Sequence, residues 1–171
     1  MAKAGIDIYM TFQTACMLKA ENHRINIVKP RVSFDGGDFR ILPFEVEHDI
    51  EGAVAFLIAD IKAKERFLYI TDTFYCKYRF SGLTGIAIEV NYSEKLLEQN
   101  IENGKTNSHL KTRIQRSHFS LEHVIEFFKA NDLSNVREIH LLHASKTNCD
   151  IEYCKMEVQK TTGSPVYIAE G

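Results

Sequence analysis

The sequence predicts a layered α/β or α+β domain, and three observations carry that reading. Short β-branched or aromatic runs separated by turn signals fill the first half of the chain. In the second half the apolar spacing lengthens to the three-and-four pattern of amphipathic helices. Two further apolar strands are interleaved with those helices, which is the order of a sheet covered by helices and excludes an all-α bundle. The 171 residues, 44% apolar and 26% charged, are expected to form a single domain over 1–171. A chain of this size buries about 68–70% of its unfolded surface and needs no disulfide or structural metal to fold.

Taken in order, residues 5–11 (Gly-Ile-Asp-Ile-Tyr-Met-Thr) read as an apolar strand, and a helical stretch follows from Thr14 through Ala15, Leu18 and Lys19. Strands are predicted at 25–28, 39–46, 53–58, 67–70 and 86–90. Asp35-Gly36-Gly37-Asp38 is expected to turn the chain between the first two, because glycine takes positive φ without strain. Ser93 caps a predicted helix carrying Leu96, Leu97 and Ile101, which Gly104 can end. A second helix is expected over 105–116, and Ser120 caps a third with Val124, Ile125, Phe127 and Phe128 turned to the core. A strand at 139–142, a helix at 151–160 and a strand at 166–169 complete the chain.

Charge and cysteine usage exclude several classes. The 21 basic and 23 acidic residues leave a net charge of −2, so no global field favours nucleic acid or an anionic membrane. Four cysteines (Cys16, Cys76, Cys149, Cys154) include no C-x-x-C pair and no two-pair zinc spacing. No apolar run approaches the roughly 20 residues of a membrane span, and the start lacks the apolar core of a signal peptide. Free thiols in a reducing cytoplasm are the expectation.

Three polar residues share one position. His48, Asp72 and His143 each stand just past the end of an apolar strand, and strand-end loops on a rigid sheet are where sites are usually built. If those ends lie at one edge, two imidazoles and a carboxylate meet. Such a set suits a borderline ion such as Zn²⁺, whereas Mg²⁺ and Ca²⁺ prefer all-oxygen shells. Each residue also has a plainer role: His48 as a surface imidazole, Asp72 as a turn residue bonding its own backbone, His143 as a strand end bonded to a carbonyl.

The residues around these positions carry a resemblance. Leu42-Pro-Phe-Glu-Val-Glu-His48-Asp49 is followed by Ala55-Phe-Leu-Ile, then by Tyr69-Ile-Thr-Asp72-Thr73, Ile88-Glu89-Val-Asn91-Tyr, Arg116-Ser-His118-Phe-Ser120 and Leu141-Leu-His143-Ala-Ser145. In this order the pieces resemble the metallo-β-lactamase fold hydrolases, in particular the phage and bacterial nuclease-like branch and, more remotely, tRNase Z. The resemblance implies an αββα sandwich, with His48 and His143 as histidine ligands and Asp72 as the bridging aspartate. It implies that His118, a non-ligand histidine, is the proton donor, and that Glu89 is a nearby carboxylate orienting a histidine. The implied cofactor is Zn²⁺ or Mn²⁺.

One part of the pattern is absent. The family's H-x-H-x-D-H signature has no counterpart, since the chain contains no H-x-H. The chain is therefore expected to be the C-terminal part of the fold, lacking its N-terminal segment, with an incomplete metal site and doubtful activity alone.

Between Lys105 and His118 stand four basic residues (Lys105, Lys111, Arg113, Arg116) and no acidic one, and Lys77 and Arg79 lie among Tyr75, Tyr78 and Phe80. Basic side chains interleaved with aromatics suit a nucleic-acid backbone and its bases, although a solvated helix face has the same composition. Lys111, Arg113 and Arg116 are the expected substrate contacts. His23, His109, His123 and His140 read as ordinary histidines, and Cys149 with Cys154 as a thiol pair on a helix. The functional expectation is a metal-dependent hydrolase of phosphodiesters. The alternative is a non-catalytic interaction module that homodimerises or docks on a separate N-terminal half, because half a sandwich exposes an apolar sheet face.

Overall fold

The computed structural model describes residues 4–169. Its centre is a seven-stranded mixed sheet in the order β3-β4-β5-β6-β7-β8-β9. The strands are β3 (Phe34–Gly36), β4 (Phe39–Glu45), β5 (Val54–Asp60), β6 (Glu65–Ile70), β7 (Gly85–Glu89), β8 (Glu138–Leu142) and β9 (Val166–Ile168). Neighbours from β3 to β6 run antiparallel, and those from β6 to β9 run parallel. Consequently β6, β7 and β8 all point the same way, and the residues that follow them emerge at one sheet edge.

Two crossovers carry the helices. From β7 to β8 the chain runs through α2 (Glu94–Glu102), α3 (Ser108–Ser117) and α4 (Leu121–Lys129), and from β8 to β9 through α5 (Ile151–Thr162). Ser93 and Ser120 cap α2 and α4 as predicted, each hydroxyl accepting a backbone N–H from the first turn. The helix expected over 105–116 begins later, where Asn107 supplies the cap by accepting from His109 N–H. Gly163, at φ +70, ends α5 in the left-handed conformation that a helix C-terminus favours.

Alternation along the strands assigns the faces. Leu57, Leu68, Ile70, Ile86, Ile88, Ile139 and Leu141 point into the main core, where they join Val124, Phe127, Phe128 and Val158 of the helices. The opposite face carries the cross-strand partners Phe56–Tyr69, Tyr69–Ala87, Ala87–His140 and His140–Tyr167. Much of that face is open: Tyr69 is 41% and Tyr167 49% exposed, and Phe56 and Phe67 are half-buried. Gly85 sits opposite Phe67, and a Cβ there would approach the Phe67 ring to 2.7 Å. The close approach explains a glycine in a central strand.

The N-terminal expectations need two corrections. β1 (Ile8–Thr11) pairs in parallel with β2 (Ile25–Val28) as a separate two-stranded sheet, and α1 (Phe12–Met17) starts ahead of Thr14. The Gly36-Gly37 turn joins β3 to β4 and not β2 to β4, because residues 34–36 form a strand too short to show alternation. Tyr9 stacks on Phe34 with ring centroids 4.6 Å apart, bringing the two sheets together. Among the described residues, no helix is long and apolar enough to cross a membrane.

Candidate metal centre

Asp72 and His143 follow the C-terminal ends of β6 and β8, and both have left-handed backbones, φ 53° and 52°. Asp and His are among the few residues that occupy this region with any frequency. The reversal turns each side chain back over the sheet edge, and Asp72 Oδ1 lies 3.4 Å from His143 Nδ1. His48, in the loop after β4, faces the same carboxylate, its Nε2 4.0 Å from Asp72 Oδ1. Its side chain is 9% exposed, so it is not the surface imidazole that its acidic neighbours allowed.

Glu89, the last residue of β7, anchors the group. It is fully buried, and Oε2 accepts the backbone N–H of Asp72 at 2.8 Å. Oε1 lies 2.7 Å from Nδ1 of His118 and 2.9 Å from Nδ1 of His143. With hydrogen bonds from the Asp72 N–H and from His118 Nδ1, the buried carboxylate is satisfied where it stands. His118 follows α3 directly and has an extended backbone, which swings its ring away from the helix and towards Glu89. The hydrogen bond to Glu89 raises the His118 pKa above its ordinary value. Partial burial opposes that, and the charges of Glu89, Asp72 and Asp49 reinforce it.

Asp72, Glu89, His118 and His143 bring one ligand atom each within 4.8 Å of one another, the one such cluster among the described residues. The donor set fits a borderline divalent ion. Imidazole nitrogen and carboxylate oxygen suit Zn²⁺, and two bonds of about 2.1 Å at a tetrahedral angle span about 3.4 Å, which is the Asp72–His143 separation. His48 stands just outside the cluster. Its Nδ1 accepts the backbone N–H of Ile50 at 3.0 Å and lies 2.9 Å from Asp49 Oδ1, which leaves Nε2 as the ring nitrogen on the Asp72 side.

Two supporting residues escaped the sequence reading. Asn91 is buried and donates from Nδ2 to the His143 carbonyl at 2.8 Å, while its own carbonyl accepts Ser145 N–H. Asp49 touches His48 and lies 3.7 Å from Arg113 Nε. Asn91 stood in the Ile88–Tyr92 motif, but which strand it would brace depends on the pairing of β7 with β8.

The basic residues divide. Arg113 reaches the rim of the centre through Asp49, while Lys111 turns to Glu98 of α2 at 3.4 Å. Arg116 is exposed near the end of α3. Lys77 pairs with Glu47 at 2.8 Å. His123 bonds the Phe74 carbonyl and His140 stacks on Tyr167.

The seven-stranded mixed sheet packed with helices is that of the metallo-β-lactamase fold, as comparison with solved structures shows. The metallo-β-lactamase fold protein YhfI from Bacillus subtilis superposes with a TM-score of 0.65 at 13% identity, covering 96% of this chain and 62% of its own. CmlA, a diiron β-hydroxylase from Streptomyces venezuelae, gives 0.56 at 10% identity over 96% of this chain and 38% of its own. A diphosphatase of the PhnP family gives 0.54 at 10% identity, covering 95% of this chain and 55% of its own. The chain thus spans between about two fifths and three fifths of these proteins. No protein-family model and no curated protein sequence matches it.

Proposed function

We propose that this chain carries the metal-binding edge of a metal-dependent hydrolase acting on phosphodiesters, in the manner of the nuclease-like branch its motifs resemble. The observation that carries the reading is the convergence of Asp72, His118 and His143 around the buried carboxylate of Glu89, with His48 facing Asp72 from just outside that cluster. His48, Asp72 and His143 would hold Zn²⁺ or Mn²⁺, which supplies Lewis acidity towards a phosphoryl oxygen. Glu89 holds the Nδ1 proton of His118, so Nε2 is the atom that presents a proton to the leaving oxygen. Arg113, Arg116 and Lys111 on α3 would attract the substrate's phosphates. The diphosphatase among the structural neighbours supports a phosphate substrate.

Metal content per chain tests the reading, measured by mass spectrometry on protein purified without chelator or His-tag. About one ion per chain, lost in Asp72→Asn, supports a centre of the three proposed ligands. Metal-free protein that takes up no added Zn²⁺ or Mn²⁺ overturns it.

A second reading rests on the open sheet face around Tyr69 and Tyr167. In that reading the chain is an interaction module that self-associates or docks on a separately made N-terminal half, burying this face. Sedimentation at several concentrations checks it, and a strict monomer that binds no such half removes it.

A further inference from the structure

Where the chain enters α5 two thiols meet. Cys149 immediately precedes Asp150, the cap of α5, and Cys154 lies in the first turn and a half of that helix. These are the positions a hydrophobic staple occupies, where two apolar side chains fix the entry angle of the chain. Two ordinary apolar residues would serve that purpose. Here the two sulfurs are 3.5 Å apart, Cys154 is fully buried and Cys149 is only partly covered. We propose that Cys149 and Cys154 are a redox modification site, at which a peroxide oxidises the pair to an intramolecular disulfide.

The geometry assigns the roles. Cys149 is reachable from solvent and sits at the amino end of a 12-residue helix, whose dipole favours a thiolate. The hydrogen bond from Cys154 also lowers the Cys149 pKa. Its thiolate attacks one peroxide oxygen. The O–O bond breaks, an S–O bond forms, and the departing hydroxide takes a proton to leave as water. The buried Cys154 sulfur then loses its proton and attacks the Cys149 sulfur, displacing hydroxide that leaves as a second water. Two thiols and one peroxide give one disulfide and two waters, with two electrons passing from the sulfurs to the peroxide. Formation of the bond brings the sulfurs from 3.5 Å to roughly 2.05 Å.

The other two thiols set the contrast. Cys76 is buried and its pKa is pushed up to about 11, so it holds no thiolate near neutral pH. Cys16 is exposed but has no partner thiol within reach among the described residues. Oxidation also removes the Cys149 S–H that points at the Val90 carbonyl at 3.5 Å, next to Glu89.

The test treats the full chain with one equivalent of hydrogen peroxide, alkylates the remaining thiols and maps them after trypsin. Cleavage after Lys146 and Lys155 leaves both cysteines in one peptide, residues 147–155. That peptide is expected unalkylated and lighter by two hydrogens while Cys16 is still alkylated, with the change reversed by dithiothreitol. Cys154→Ser should stop Cys149 at a sulfenic acid that dimedone traps, and Cys149→Ser should leave Cys154 unoxidised. In denaturant the preference over Cys16 should vanish, because it comes from the folded geometry. Oxidation of Cys16 with both thiols of 147–155 still alkylated overturns the proposal, as does equal selectivity in the unfolded chain.

Discussion

Oε1 of the fully buried Glu89 lies 2.7 Å from Nδ1 of His118, tying the last residue of β7 to the residue that ends α3. Oε2 of the same carboxylate receives the Asp72 N–H, and His143 shares Oε1. One side chain thus holds two of the residues that face the proposed ion, Asp72 and His118, from two different elements. Carboxylates behind metal-facing histidines commonly have this orienting role.

The contact makes a pH prediction for the metal-free chain. Because Glu89 raises the His118 pKa, the contact's contribution to stability is complete below the unfolded value of about 6.5 and is lost as pH rises through the higher folded value. A proton NMR titration should place His118 above its ordinary value, and Glu89→Gln should return it towards that value. An unchanged titration in Glu89→Gln would show that another group sets it.

For the loaded protein, Glu89→Gln should weaken metal affinity by about 10–100-fold, the usual effect of removing an orienting partner. Competition against a chromophoric chelator measures this. Equal affinity in both proteins contradicts the orienting role.

The left-handed backbone at Asp72 separates ligand loss from strain. Asp72→Gly and Asp72→Ala should both abolish metal uptake. The glycine variant should be more stable in urea by about 1–2 kcal/mol, because alanine retains the Cβ that this conformation penalises. The opposite order of midpoints would mean that the turn relaxes in the variants.

His118→Ala divides proton donation from ligation. Phosphodiester turnover should drop by about 10²–10⁴-fold with metal content unchanged, as expected for loss of a general acid. If metal falls with activity, His118 is itself a ligand, as its place in the four-residue cluster allows.

Gly85→Ala tests the close packing of β7 against β6. Its Cβ would meet the Phe67 ring at 2.7 Å, and forcing such an overlap should cost about 1–3 kcal/mol. A urea midpoint equal to that of the parent would show that Phe67 rotates away freely.

Much of the architecture was legible because local patterns control it. Ser93 and Ser120 read as caps from their positions ahead of apolar periodicity, and both accept the N–H expected of a cap. Residues 34–36 were missed because three residues cannot display alternation, and their pairing with β4 comes from the turn at Gly37. The site was legible in part, since His48, Asp72 and His143 stand after apolar runs. Asp49 and Asn91 were not, because their partners lie far off in sequence.

By itself, then, the sequence determined the α/β layering, the caps and the residue types able to hold a metal, all of which follow from spacing along the chain. Only the tertiary structure decided that β6, β7 and β8 run parallel, so that Asp72, Glu89 and His143 emerge together at one edge. It also set Glu89 between His118 and His143, and Cys149 against Cys154. The first two depend on strand order and direction, and the last on how the chain enters a helix, none of which is encoded in local periodicity.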